Sequence, residues 1–428
     1  MPLTAEELEW KHKVGAALLR DIPELDDEQG MAEALIGLNE LMVGAPDSVL
    51  TSYDTLSDHE LDQWADRWER MITDSRLEAV DDAHDVRTLS LRLGGLIRAW
   101  DWLLLASRSH FGLPASEEEW RVGEWYVIPR KRRSQWRQPK LNQGYRVRGI
   151  LHHRLIPRRA GELSVKPVLV DSVETSSEFP RSNLGAAFFR DFDIKLSRDK
   201  PNTFFASSVN SDQHEKDIKG QLDASSADHC FAIVWPELTM PEHHRMVVRR
   251  TLKENVVSDV PRVYPDVVVA GSWHEIEHGR RYNVTYIYNR VGKEIARYRK
   301  SAPYSDGAHG VEDIELGADM PLIVTETTIS AFAVCKDFCT SSRKVNPYHE
   351  LAVDYVIVPS MGRRGTMIEH QSAADLLRNK TGARAFVVQQ QAPHEENVAA
   401  FVLPPDRTKG GDAISMENGK TWAAFGWG

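Results

Sequence analysis

The sequence predicts a layered α/β domain over 183–428, preceded by a mainly helical domain over 1–115 and a basic, β-rich connector over 116–182. Two observations carry the α/β reading. Short apolar runs such as HCFAIVWPEL and DYVIVPS alternate with amphipathic stretches of helical length, and prolines and glycines mark the boundaries between them. A third observation separates the front of the chain, where apolar residues recur at three- and four-residue intervals with no strand-like run between them.

In chain order, Thr4 with Glu7 and Ser57 with Glu60 have the spacing of capping boxes, in which hydroxyl and carboxylate satisfy free amides at a helix start. After the second box, Leu61, Trp64, Trp68 and Met71 share one helix face. A helix over 85–107 is apolar over a wide arc (Leu93, Ile97, Trp100, Leu104), as expected for the centre of a small bundle, and Pro114 closes it. The connector holds WYVIP and YRVRGILHH among a basic run that begins Arg130, Lys131, Arg132, Arg133 and reaches Arg159 without one acidic residue. Trp136 and Tyr145 lie inside it, so residues 130–159 are a candidate nucleic-acid contact, to be weighed against a solvated hairpin or a protein-docking face.

Further on, GAAFFRDFDI reads as a strand, 212–224 as a helix, HCFAIVWPEL as a buried strand ending at proline, and 241–255 as a helix. A strand PDVVVAGSW follows. Next come a hairpin YNVTYIYNRVGKEIARYRK turning near Gly292, strands PLIVTET and ISAFAVC, a helix over 346–352 and the strand DYVIVPS.

Apolar residues at 41% and charged residues at 27% are ordinary globular values. The start of the chain shows no leader pattern and no run is long enough to span a membrane, so neither export nor membrane insertion is expected. Three cysteines form no disulfide framework and point to a reducing, cytoplasmic setting. A net charge of −10 disfavours nonspecific nucleic-acid binding by the molecule as a whole.

Three chemical groups stand at the ends of apolar runs, where layered folds place their active residues: Glu237 in IVWPEL, Lys300 in GKEIARYRK and Cys335 in ISAFAVCKD. Together they suffice for acyl transfer. A carboxylate can take the thiol proton, and an ammonium favours both the thiolate and the negative charge that grows on an attacked carbonyl or nitrile. Lys300 and the Lys336 backbone amide are the candidate stabilisers. Cys230 and Cys339 lack such company and read as structural.

The strings WPEL, YNVTYIYNRVGKEIARYRK, AVCKD and DYVIVPS, in this order, resemble the landmark segments of the nitrilase, or carbon-nitrogen hydrolase, superfamily. The resemblance covers about half the chain, from Asn183 onward. It implies an α-β-β-α sandwich, a Glu-Lys-Cys triad of Glu237, Lys300 and Cys335, and Asp337 in the family's acidic position. It further implies hydrolysis of a small amide, carbamoyl amide or nitrile without cofactor or metal, and a homodimer or larger homo-oligomer. Many members use a second glutamate to position the ammonium, and Glu312 is the choice among the acids of SAPYSDGAHGVEDIE. Lys336 stands where the family often has an aromatic residue, which implies a more polar pocket wall. TGARAFVVQQQAP resembles the family's late helix-to-strand transition but lacks its usual acid and asparagine.

Two other classes remain open at this point: a binding or assembly module whose chemistry has faded, and an effector in which the basic connector recruits nucleic acid. His274-Glu275-Ile276-Glu277-His278 spells the HExxH pattern of zinc peptidases. That chemistry needs both imidazoles on one helix face, whereas this stretch follows the strand VVVAGSW and stops at Gly279, so no metal site is expected there.

Overall fold

A computed structural model describes residues 3–18, 23–74, 85–111, 116–130, 148–170, 183–190, 192–210, 213–325, 327–339, 346–395, 398–405, 413–417 and 419–426. Pro114 and 131–147, the larger part of the basic run with Trp136 and Tyr145, lie outside the described residues. The chain forms two compact units. One comprises Met1–Arg158, Glu350–Asp354 and Arg378–Gly382; the other comprises Arg159–His349, Tyr355–Leu377 and Ala383–Gly428.

The first unit contains α1 (Ala5–Leu18), α2 (Glu28–Val43), α3 (Asp47–Thr55), α4 (Asp58–Thr73) and α5 (Val86–Phe111). Both capping boxes form: Glu7 N donates to Thr4 Oγ1 at 3.3 Å, and Glu60 N donates to Ser57 Oγ at 3.2 Å. Leu61, Ala65, Trp68 and Ile72 of α4 are buried, while Trp64 and Met71 pack at the margin. The central helix α5 meets its neighbours through Gly94 and Gly95. A Cβ on Gly94 would lie 2.3 Å from the Tyr53 ring, and one on Gly95 would lie 2.5 Å from Trp64. Larger residues there would push α3 and α4 away.

Beside the helices lies a three-stranded antiparallel sheet of Arg121–Val122, Trp125–Ile128 and Arg154–Pro157. Several arginines of the basic run are engaged within the protein. Arg154 is buried and bonds Asp354 at 2.9 Å, Arg148 donates to the Leu56 carbonyl, and Arg158 donates to the Gly123 carbonyl at 3.3 Å.

In the second unit, one sheet runs in the order Trp273–Glu277, Arg280–Tyr288, Val267–Val269, Cys230–Val234, Asn183–Ala187, Trp422–Gly426, with Glu294–Arg299 also paired to Arg280–Tyr288. Its middle strands are parallel and buried on both faces, which is why they read as unbroken apolar runs. Helices α6 (His214–Ala227) and α7 (Glu242–Val256) contribute Ile218, Leu222, Val248 and Leu252 to a core with Ile233 and Val268 of this sheet. A second sheet runs Ile414–Glu417, Val398–Leu403, Arg384–Glu395, Tyr355–Gly362, Ile329–Phe332, Asp319–Val324, Leu163–Leu169, Arg159–Ala160. Leu163–Leu169, from the segment expected to be connector, pairs parallel to Asp319–Val324 within it. A smaller sheet joins Ser305–Asp306, Gly310–Glu312, Thr203–Asn210 and Asp193–Ser197, and α8 (Lys336–Cys339) and α9 (Arg364–Thr381) as far as Leu377 complete the unit.

Three expectations are corrected. The single strand expected for GAAFFRDFDI is two, Asn183–Ala187 and Asp193–Ser197, which belong to different sheets. The helix expected over 346–352 is one 3-10 turn, Pro347–His349, because Asn346 binds its own chain locally: its Oδ1 accepts from Tyr348 N at 3.0 Å and its carbonyl from His349 N at 3.0 Å. The single strand expected for PDVVVAGSW is two, Val267–Val269 and one starting at Trp273, separated at Gly271 (φ +48°), where a Cβ would strike the Pro236 carbonyl at 2.3 Å. Among the described residues, no helix is long and apolar enough to cross a membrane.

One carboxylate organises the turn that enters the small sheet. Buried Asp101 on α5 accepts the backbone amides of Leu151 (2.7 Å), His152 (2.8 Å) and His153 (3.1 Å) and bonds His153 Nδ1 at 2.8 Å. Asp101→Ala leaves these donors without their acceptor, and a loss of on the order of 3 kcal/mol is expected, at 1–3 kcal/mol per unsatisfied buried group. Urea denaturation of the full chain checks this; an unchanged midpoint would exclude a structural role for Asp101.

Candidate active site

The strand Cys230–Val234 ends at Trp235-Pro236, and because proline has no N–H to continue the ladder, the chain turns away at Glu237. The turn is tight: Leu238 has φ +54°, and its amide donates to Ser272 Oγ at 3.2 Å. Lys300 follows the strand Glu294–Arg299. The hairpin register pairs Val284 with Arg299, so Asn283 lies opposite Lys300 and its carbonyl accepts the Lys300 amide at 2.9 Å. Glu312 ends the strand Gly310–Glu312, which pairs parallel to Thr203–Asn210.

These three segments converge on one buried cation. Lys300 Nζ lies 2.7 Å from Glu237 Oε1 and 2.7 Å from Glu312 Oε2, with Lys300 1% exposed and both carboxylates 3%. Asn283 Nδ2 bridges the acids, donating to Glu237 Oε1 at 3.0 Å and Glu312 Oε1 at 2.8 Å. His274 Nδ1 accepts the Ala206 amide at 2.6 Å, which leaves the ring proton on Nε2, where it is donated to Glu312 Oε1 at 2.8 Å. The Tyr304 amide donates to Glu312 Oε2 at 2.9 Å.

Burial opposes both kinds of charge, but the charges offset one another. Despite burial, Glu237 and Glu312 hold the Lys300 ammonium well above the ordinary lysine value, and Lys300 and His274 hold the Glu312 carboxyl well below the usual carboxylate range.

Cys335 follows the strand Ile329–Phe332 at the start of α8, with φ +47°, a region that residues bearing a Cβ rarely adopt. Its amide donates to the Pro359 carbonyl at 2.9 Å, and its thiol to the Met361 carbonyl at 3.6 Å. The Met361 amide donates to Glu237 Oε2 at 3.1 Å, so thiol and carboxylate flank one residue. Burial, and then the Glu237 charge, push the thiol well above the ordinary cysteine value, against the opposing pull of Lys300. Asp337 ties the flanking turns together: it accepts Ser301 N at 2.9 Å, Val334 N at 3.1 Å and the Tyr298 hydroxyl at 2.8 Å. The Lys336 amide directly follows the thiol-bearing residue, while its side chain reaches Glu369 at 3.1 Å. Cys230 is buried, with its thiol pushed up to about 12 by burial, and it lies within a strand away from these groups.

The structure thus brings Glu237, Lys300, Glu312 and Cys335 together. The HExxH string forms the strand Trp273–Glu277, and one of its histidines serves Glu312 instead of a metal. Among the described residues no cluster could hold a metal ion. The residues around this cation that sequence reasoning did not select are Asn283 and His274. Asn283 stands inside the hairpin string, and the only signal for it is its register opposite Lys300.

The sequence matches no family model and no curated protein. Solved structures do match. An amidase from Nesterenkonia sp. aligns with a TM-score of 0.41 and 12% identity over 58% of this chain and 90% of that one. A Saccharomyces cerevisiae protein described as a member of branch 10 of the nitrilase superfamily aligns at 0.38 and 14%, over 59% and 93%. A glutamine-dependent NAD+ synthetase from Acinetobacter baumannii aligns at 0.40 and 16%, over 57% of this chain and 45% of its own.

Lys300→Met leaves two carboxylates facing each other in a dry site, and a loss of about 3–5 kcal/mol is expected at neutral pH. The sign of its pH dependence follows from Glu312. With Lys300 present, the lowered Glu312 value contributes stability above the unfolded carboxylate pKa that is lost as pH falls through the folded value. Without Lys300 the buried Glu312 carboxyl favours protonation, so the deficit of the variant narrows between about pH 8 and about pH 5. Thermal melts of both proteins across that window test this; a constant deficit would contradict the charge balance.

Proposed function

We propose that this chain is a cysteine-dependent hydrolase of non-peptide carbon-nitrogen bonds, with a nitrilase-like α-β-β-α sandwich formed by 183–428 together with the strands Arg159–Ala160 and Leu163–Leu169. The observation that carries the reading is the enclosed Lys300 ammonium, held by Glu237 and Glu312 beside the Cys335 thiol.

In the reaction, Glu237 takes the thiol proton as Cys335 Sγ bonds the substrate carbon, and the carbonyl electron pair moves onto oxygen. Two of the three Lys300 donors are held by carboxylates, which leaves one for that oxyanion, with the Lys336 amide as its second donor. Glu237 passes the proton to the departing nitrogen, and the carbon-nitrogen bond breaks to leave a thioester. Water gives a proton to Glu237 and attacks, the carbon-sulfur bond breaks, the thiol regains its proton and the acid leaves. Glu312 keeps the ammonium in place. The substrate class is a small amide or carbamoyl amide before a nitrile, and the reaction requires neither cofactor nor metal. A homodimer or larger homo-oligomer in a reducing, cytoplasmic compartment completes the reading.

Incubating the purified protein with a panel of amides and nitriles, followed by mass spectrometry, is expected to find an acyl adduct on Cys335, absent in Cys335→Ala. Glu237→Gln should lower turnover by about 10²–10⁴-fold, the range for loss of a general base. It should also move the Cys335 thiolate to lower pH, because the anion that opposes ionisation is gone while Lys300 stays. The ultraviolet thiolate absorbance, referenced to Cys335→Ala, reads that shift. A Cys335→Ala protein that still hydrolyses the substrate would overturn the proposal.

A further inference from the structure

The strand Tyr355–Gly362 and helix α9 carry a pair that the mechanism above does not use. Ser360 and His370 are both 0% exposed, and Ser360 Oγ lies 2.9 Å from His370 Nε2. Ser360 also lies at the centre of the segment against which the nucleophile packs: the Cys335 amide bonds Pro359, the Cys335 thiol bonds Met361, and the Ser360 carbonyl accepts the Glu237 amide at 3.3 Å. Resting on the reading of Cys335 as nucleophile, we infer that Ser360 is a further catalytic residue whose hydroxyl donates to the Cys335 sulfur, and that His370 is the positioning residue that turns the hydroxyl toward it.

The direction of the chain of hydrogen bonds follows from the histidine. His370 Nδ1 has no hydrogen-bond partner among the described residues. A buried N–H without an acceptor costs more than a buried lone pair without a donor, so the ring proton belongs on Nε2. His370 therefore donates to Ser360 Oγ, and the serine proton is left to point elsewhere. Gln389 Oε1 lies at 3.5 Å from the hydroxyl, the long limit of a hydrogen bond, and on this inference the proton turns instead to the Cys335 sulfur, whose ionisation a Ser360 bond favours. A charged acceptor makes the stronger bond, and two donors in series polarise each other. Burial pushes His370 down to about 3, so the ring stays neutral at working pH and its tautomer stays constant.

Ser360 keeps its proton throughout. It stabilises the sulfur while that atom is negative, on attack and again when the thioester breaks. Lys300 cannot supply this stabilisation alone, since two carboxylates share its charge. The other charged or titratable groups around the sulfur are Glu237, Lys300 and Glu312 from the strand ends, and Lys336, Asp337 and Cys339 from α8.

The test uses the full chain carrying Glu237→Gln, in which thiolate formation moves down because the opposing carboxylate charge is gone, with ultraviolet absorbance referenced to the same chain lacking Cys335. Cys230 and Cys339, pushed up to about 12 by burial, are present in both chains and cancel in the difference. Adding Ser360→Ala should raise the midpoint by about one to two units, the size of a hydrogen bond to a charged group. His370→Leu should raise it similarly, and His370→Gln, which keeps an N–H at the same reach, should restore it. Ser360→Thr, which keeps the hydroxyl, should also stay near the parent. If His370→Leu loses the native circular dichroism spectrum, His370→Met takes its place. An unmoved midpoint in Ser360→Ala overturns the proposal, and a shift there without one at His370 overturns the positioning role. Failure of the nucleophile reading would appear separately, as no acyl adduct on Cys335 in the unmodified protein.

Discussion

An ammonium enclosed by two carboxylates, all three shielded from water, constrains nearly everything else in the second unit. Charges taken from water cost many kcal/mol unless they are paired and their remaining hydrogen-bonding capacity is met. The structure meets that demand from several directions. Asn283 bridges the two acids, His274 and the Tyr304 amide hold Glu312, and the Met361 amide holds Glu237. Each donor comes from a different stretch of chain, so the strand after Cys230, the hairpin before Lys300 and the small sheet bearing Glu312 must all arrive in register. Removal of one partner exposes the others to an environment that cannot solvate them.

The same constraint reaches the thiol through short backbone links. Met361 offers its carbonyl to Cys335 and its amide to Glu237, so a shift of the strand Tyr355–Gly362 would disturb acid and nucleophile together. Asp337 does the corresponding work between the turn after Lys300 and the turn before Cys335, by accepting an amide from each. Cys335 and Leu238, two of the non-glycine residues with positive φ, lie at the turns that present the thiol and the Glu237 carboxylate. Such φ values persist only where the surroundings hold them, and these hydrogen bonds are what does so.

What could be read from the sequence follows from which forces are local. Glu237, Lys300 and Cys335 each follow an apolar run, and the end of a buried strand is a local signal. The capping boxes at Thr4 and Ser57 are local too, and both formed. Glu312 was one acid among several in its loop, and its contact with Lys300 depends on the pairing of Gly310–Glu312 with Thr203–Asn210, which no window of sequence contains. His274 illustrates the converse. Its neighbours spell a metal motif, yet strand pairing turns the side chain onto a carboxylate. Asn346 opened a segment with helical composition, but its side chain and carbonyl closed a single turn and ended it there. The role of Ser360 was invisible for a related reason: serine after a strand proline is ordinary, and only the packing of Cys335 against Pro359 and Met361 gives it meaning.

A thiol held so far above its ordinary value looks like a poor nucleophile, and the charge balance of the site resolves the difficulty. With Cys335 neutral, Glu237, Glu312 and Lys300 together carry one net negative charge. Loss of the thiol proton to water would add a second negative charge to a buried cluster, and this is what burial and Glu237 oppose. Transfer of the same proton to Glu237 changes nothing in the total; the negative charge moves from a carboxylate to a sulfur that Lys300 already faces. On the proposed reading the thiol is therefore suppressed toward bulk solvent but not toward the acid beside it. In the proposed reaction, attack on a substrate carries the charge onward from sulfur to an oxyanion next to the ammonium, so at every step of it the cluster holds the same net charge.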